Sequence, residues 1–357
     1  MTERDKSSTL AAVLGIVLGI LGTVLFFTVI GKPARMSGNY NNWRKLNLVL
    51  QEIQKCYVDT VDVKKVTDAA VVASLAALDP HSVYLPPVEL EKSQTELAGN
   101  FDGIGIQFNV PNDTAIVLEV IPGGPSEKVG LQPGDRILKV DSCNIAGVKF
   151  PQDSMVRRMK GRAGTEVGIL VKRGEEKIPF NIKRGKIPMH CVDAAFMIND
   201  TTGYIRLSKF SRTTFMEVSA AAEKLLDNNM KHLVFDLRDN SGGYLDQALL
   251  LSDMFLEKGD EIVYLQGLHQ KREDYKADGK GILKDVRLSV LMNENSASSS
   301  EIFAGAMQDN DRGTIVGRRS YGKGLVQESR FFSDGSGIRL TIARFYTPSG
   351  RCIQKPY

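Results

Sequence analysis

Two short stretches carry side chains that could do covalent chemistry: residues 293–303, NENSASSSEIF, and residues 320–327, SYGKGLVQ. Ser298 stands after an apolar run and at the start of a helical pattern. A helix N-terminus offers unpaired N–H groups and partial positive charge, which favour a developing oxyanion. The same serine also reads as a plain cap, because Ser298 and Glu301 form an S-x-x-E capping box before an apolar run. A nucleophilic serine needs a base. The four histidines, His81, His190, His232 and His269, lie in no nearby motif. Lysine can serve when burial disfavours its charged form. Lys323, flanked by Gly322 and Gly324, has the close backbone approach this requires, although a solvated loop lysine fits the same residues. Gly242 and Gly243, in FDLRDNSGGYL, follow an apolar strand pattern. That is where open α/β sheets bind ligands, and their N–H groups could complete an oxyanion hole or simply make a tight turn. Ser320 and Lys323 also have S-x-x-K spacing, but Tyr-Gly-Lys-Gly starts a helix poorly and no S-D-N or K-T-G follows.

These residues need elements to hold them. From Cys191 onward, strand patterns (GYIRLSKF, HLVFDLR, VRLSVLMNE) alternate with helical ones (residues 213–228, DQALLLSDMFL, SSSEIFAGAMQ). That order predicts a layered α/β domain. Asp309, near the end of the last helix, reads as a solvated carboxylate, with a buried charge partner as the other option. Residues 99–185 differ: short β-rich runs separated by turn clusters predict a compact β module. Upstream, two helical stripes at 43–78 are joined by VDTVD, then broken by Pro80, Pro86 and Pro87. Residues 10–30 are uncharged and apolar, about 21 residues, enough to span a hydrocarbon core. They predict an uncleaved N-terminal transmembrane helix. The chain has 357 residues, a net charge of +4 and no long basic run, which argues against nucleic acid as a partner. The cysteines Cys56, Cys143, Cys191 and Cys352 are far apart and predict small core residues, neither a zinc site nor a disulfide framework.

With these motifs in order, the chain resembles the C-terminal processing peptidases, also called tail-specific proteases. The resemblance rests on NENSASSSEI, YGKGLVQ and DLRDNSGG, and on LDPHSVYL, FDGIGIQF and TPSGRCIQ. It implies a crotonase-like α/β protease core, an inserted PDZ domain and an N-terminal membrane helix. It implies that Ser298 is the nucleophile, Lys323 its base and Gln327 the residue orienting that lysine. Gly242 or Gly243 would form the oxyanion hole with the Ser299 amide. Phe101, Asp102, Gly103, Ile104, Gly105 and Ile106 resemble the carboxylate-binding loop of PDZ domains, and GLQPGDRILKVDS their helix-to-strand segment. A peptide C-terminus would add along the strand at 104–108.

The expected organisation is an anchor at 1–31, a helical segment at 32–98, a PDZ domain at 99–185 and a Ser–Lys peptidase core at 186–357. Family members usually continue past TPSGR, so the core reads as shortened. The expected activity is serine-type endopeptidase cleavage of proteins with apolar, unstructured C-termini. No metal or organic cofactor is implied, and a homo-oligomer is one expectation. The expected location is the plasma (inner) membrane, with the protease facing the periplasm or the exterior. A second reading is a non-catalytic PDZ scaffold, which would need none of Ser298, Lys323 and Gln327. A third is another Ser–Lys acyl-transfer enzyme such as an amidase, against which the PDZ segment speaks.

Overall fold

The computed structural model describes residues 39–357, which open with helices α1 (Asn39–Cys56) and α2 (Val63–Ala76). The break falls at VDTVD. Asp62 Oδ1 accepts the Lys65 amide at 3.1 Å, an N-cap that satisfies a donor the first helical turn leaves free.

Next come β1 (Val83–Leu85) and α3 (Pro87–Ala98). Pro87 stands at the first helical position and Gly99 ends the helix in the left-handed conformation at φ 72, the asymmetry expected of these residues. The β-rich module follows: β2 (Asn100–Gly103), β3 (Ile106–Asn109), β4 (Ala115–Val120), the short helix α4 (Pro125–Lys128), β5 (Arg136–Val140), β6 (Cys143–Asn144), α5 (Gln152–Met159), β7 (Glu166–Arg173), β8 (Glu176–Lys183) and β9 (Gly185–Pro188). Its sheet runs β3-β4-β5-β7-β8 with β6 beside β5, and β2 pairs with β9 to bring the ends of the module together. Alternation turns Val167, Ile169 and Val171 of β7 inward, onto a core that includes Ile137, Val140, Met155 and Ile182. Arg173 clasps buried Asp135 with two bonds of 2.7 Å, a bidentate pair that fixes the GDRI turn.

The remainder is β10 (Val192–Met197), β11 (Thr202–Leu207), α6 (Thr214–Asp227), β12 (His232–Asp236), α7 (Leu245–Asp253), β13 (Glu261–Gln266), β14 (Glu273–Lys276), β15 (Arg287–Met292), α8 (Ser299–Asp309), β16 (Thr314–Gly317), β17 (Leu325–Phe331) and β18 (Gly337–Tyr346). One sheet runs β10-β11-β12-β15-β16, parallel from β11 to β16. A second, antiparallel, runs β1-β18-β13-β14 with β17 on β18. A separate apolar core serves this part, with the Phe303 ring of α8 tilted against Phe235 at 5.2 Å and edge-on to Phe255 at 5.5 Å between centroids. The parallel strands β12 and β15 end side by side, so the loops after them, DNSGG and NENSAS, meet at one edge. The loop carrying Lys323 enters from the second sheet through β17.

Three expectations are corrected. Among the described residues no helix is long and apolar enough to cross a membrane, and the apolar stretch at 10–30 lies outside them. The single-pass anchor, and the location facing the periplasm or exterior that was drawn from it, therefore have no support in the described residues. Of the four cysteines only Cys191 is buried; Cys143 is half-buried, and Cys56 and Cys352 are exposed. Asp309 is not a solvated carboxylate. Its side chain is only 4% exposed beside Arg351, because the TPSGR turn folds back over the end of α8.

Candidate active site

Ser298 takes φ 56 and ψ −113 at the start of α8. A residue with a Cβ rarely adopts positive φ, and such strain persists only where the surroundings hold it. They do so here. Ala297 N–H and Ser300 Oγ both donate to the Asn240 carbonyl, at 3.0 and 2.9 Å. Ser296 Oγ donates to the Leu237 carbonyl at 2.8 Å. The turn before α8 is thus stitched to the loop after β12. Ser298 itself is half-buried and lines a cleft of about 1060 Å³ together with Gly242, Gly243, Ser299, Lys323 and Gln327.

The glycine loop fits tightly against the serine. Gly242, at φ +92, passes so close that a Cβ there would lie 2.7 Å from the Ala297 carbonyl oxygen and 2.8 Å from Ser298 Cβ. A Cβ on Gly243 would lie 2.0 Å from the Phe210 carbonyl oxygen. The two glycine amides differ. Gly242 N–H donates to Asn240 Oδ1 at 2.9 Å. Among the described residues, the N–H groups of Gly243 and Ser299 have no acceptor, so these two are the donors left to meet an anion.

Lys323 lies in the loop between β16 and β17. Burial pushes its ammonium below the ordinary lysine range, and Arg339 pushes the same way; Glu301 and Asp79 oppose them. No hydrogen bond joins Lys323 Nζ to Ser298 Oγ or to Gln327 among the described residues. Gln327 Nε2 instead donates to the His81 carbonyl. In proteins without substrate, such contacts are often long and tighten only in the complex. The sequence motifs therefore converge on one cleft, while the predicted Gln327–Lys323 contact is not formed.

What ties the two stretches together is a residue read from the sequence only as a helix cap. Glu301, 3% exposed, receives four hydrogen bonds. Its Oε2 accepts Ser298 N–H at 2.8 Å and Lys323 N–H at 2.8 Å. Its Oε1 accepts Ser320 Oγ–H at 2.7 Å and Gly322 N–H at 2.7 Å. One carboxylate therefore fixes the backbone of both candidate residues. The LDPHS segment contributes as well. Asp79 accepts the His81 and Ser82 amides and the Ser82 hydroxyl, each at 2.7 Å, a turn that aims the His81 carbonyl at Gln327. The capping box and the Asp-Pro dipeptide were the available signals, but neither spacing says which distant loop it holds.

The tail-binding candidates sit in the β-rich module. Phe101, Asp102 and Gly103 are paired in the β2–β9 ribbon; Ile104 and Gly105 form the loop, and Ile106 opens β3. Gly105 has φ +76, and a Cβ there would lie 3.0 Å from Ile187 Cδ1. Asp102 Oδ2 accepts the Ala163 amide at 2.9 Å. Among the described residues the Ile104 and Gly105 N–H groups have no acceptor. β3 is an edge strand of its sheet, the arrangement that lets a peptide add as a further strand.

Known proteins match along the same lines. The model of peptidase family S41 matches residues 201–356, and a PDZ domain model matches residues 103–183. A probable CtpA-like serine protease of Staphylococcus epidermidis (strain ATCC 12228) is 32% identical over 348 residues, covering 95% of this chain and 70% of that protein. Its counterpart in Staphylococcus aureus (strain COL) is 33% identical over 346 residues, 94% of this chain and 69% of that protein. The solved photosystem II D1 C-terminal processing protease is 29% identical, with a TM-score of 0.50 over 88% of this chain and 85% of that one.

Proposed function

Because the chain belongs to peptidase family S41 and is a serine endopeptidase, we propose that it captures the C-terminal tail of a protein substrate and cleaves it through Ser298 and Lys323. On this reading residues 99–185 hold the tail, residues 186–357 are the peptidase core, and residues 32–98 are a helical lead-in. The observation that carries the proposal is that one buried carboxylate, Glu301, ties the backbones of Ser298 and Lys323 into a single cleft.

The chemistry follows from the groups present. The neutral amine of Lys323 takes the proton from Ser298 Oγ, which attacks the scissile carbonyl carbon. The carbonyl π pair moves onto oxygen, where the Gly243 and Ser299 N–H groups meet the developing charge. As the oxyanion collapses, the C–N bond breaks and the Lys323 ammonium returns its proton to the leaving amine, leaving an acyl ester on Ser298. Water then repeats the sequence and frees the serine. A positive charge on Lys323 blocks the first step, so its lowered pKa favours activity nearer neutrality, and the rate rises with pH through that pKa. On the module, the tail carboxylate meets the Ile104 and Gly105 N–H groups and the last residues pair with β3.

An unstructured protein, with its C-terminus free or amidated, tests both halves. Ser298→Ala and Lys323→Ala are expected to retain wild-type circular dichroism and to lose cleavage by at least about 1000-fold. Amidation is expected to raise KM without lowering kcat as much. Cleavage by Ser298→Ala at the wild-type rate would sink the nucleophile, and equal cleavage of both tails would sink capture.

A further inference from the structure

Arg339 has no role in the steps above, yet it occupies the same cleft as Lys323 and Gln327. Its position follows from register. In the β17–β18 pair Gln327 faces Thr341 and Ser329 faces Arg339. Residues two apart on a strand share a face, so Arg339 projects beside Gln327. Its Nη2 donates to Ser93 Oγ of α3 at 2.7 Å, which keeps the guanidinium in the cleft. Among the described residues no carboxylate pairs with it. The chain therefore places an unneutralised, permanent cation beside the amine that must act as a base.

We propose that Arg339, held by Ser93, is a positioning residue whose fixed charge drives the extra proton off the Lys323 amine. A second cation next to a buried lysine is a recognised way of making an amine nucleophilic or basic. The direction agrees with the ranking of influences on Lys323: burial first, then Arg339. The other charged or titratable groups around the amine are Glu301 from α8, Asp79 and His81 from the turn before β1, and Lys355 near the C-terminus. Glu301 and Asp79 attract the proton, but both spend their oxygens on backbone amides and hydroxyls. Arg339 is the cation that opposes them.

The inference rests on the Ser298–Lys323 reading, so its test carries Ser298→Ala alongside. Peptide hydrolysis (kcat/KM) is measured from about pH 6 to about pH 10 for wild type, Arg339→Gln, Arg339→Lys and Ser93→Ala. Removing the charge is expected to cost Arg339→Gln about tenfold at about pH 7, and progressively less as pH rises toward about 10, where an amine held below the ordinary lysine range loses its proton without help. Arg339→Lys keeps the charge and is expected to follow the wild-type profile. Ser93→Ala is expected to show the same pH-selective loss, smaller in size. A loss equal at every pH, or none, overturns the inference provided Ser298→Ala is inactive. Hydrolysis surviving in Ser298→Ala removes the dyad instead. If Arg339→Gln fails to fold, Ser93→Ala decides: a pH-selective loss supports the proposal and any other profile overturns it.

Discussion

Replacing Glu301 with glutamine changes one atom type and leaves the volume alone, so its effect isolates the carboxylate. In wild type each oxygen accepts two bonds, three of the four donors being backbone amides. A glutamine has one oxygen and one NH2 group. With the oxygen turned toward Ser298 and Lys323, those two amides keep an acceptor. The NH2 then faces Ser320 Oγ, which can rotate to accept, and Gly322 N–H, which cannot. One buried donor is orphaned, at about 1–3 kcal/mol, and the remaining bonds lose their charge assistance, at about 1 kcal/mol each. The sum is about 4 kcal/mol, a large share of the roughly 5–15 kcal/mol that holds a domain folded. Relief comes by shifting the loop at 320–324 away from α8, and a displacement of about 1 Å between reacting groups costs on the order of 100-fold in rate. Urea midpoints at constant m-value and kcat on a quenched peptide read the two effects separately. Glu301→Asp, which keeps the charge but not the reach, is expected to recover part of the stability and little of the rate. A Glu301→Gln protein with an unshifted midpoint and kcat within about twofold of wild type would falsify the argument. Lost stability with an intact kcat would reduce Glu301 to a helix cap.

Two further outcomes follow from backbone and charge. Gly242→Ala puts a Cβ within 2.7–2.9 Å of the Ala297 oxygen, Ser298 Cβ and Ser299 nitrogen, none of which can swing aside. It is expected to lower kcat by at least about 100-fold in a protein whose circular dichroism is unchanged; near-normal turnover would contradict the close packing. Burial pushes the Asp309 carboxyl up, but bonds from Ser349 and Thr347 outweigh it and hold the group down to about 2. Its folded pKa lies below the unfolded one. The stabilisation is therefore complete above about pH 4 and is lost as pH falls through about 2, roughly 2 kcal/mol in all. Wild type is expected to lose more stability than Asp309→Asn between about pH 5 and about pH 2, and equal losses would refute the assignment.

Much of the fold could be read from residue patterns, because the period of an apolar pattern reports which face of an element is buried. The two helices around VDTVD, the β module at 99–185 and the alternation after Cys191 all follow that rule. So did the placing of Ser298 at a helix start. The fate of Asp309 could not be read. Its burial depends on a turn 40 residues away, and a carboxylate beside Asn310 and Asp311 looks solvated in any local window. The cysteines misled for a similar reason: small apolar residues are buried on average, but the average says nothing about the exposed bridge to Tyr346 in which Cys352 lies. For Gly242 and Gly243, composition left both as oxyanion donors. Only the position of the Asn240 amide, which accepts from Gly242, separates them.

By itself the chain's order of residues determined the types of group available: a serine at a helix N-terminus, a lysine between glycines, a glycine pair after a buried strand. Which of these face one another was decided by tertiary structure, since β12, β15 and β17 come from distant parts of the chain and β17 belongs to a different sheet from β12 and β15. The same holds for what keeps them there. A carboxylate satisfying four donors, or a guanidinium placed near an amine by cross-strand register, is a relation between surfaces. No spacing along the chain encodes it, because hydrogen bonds and Coulomb forces act through space.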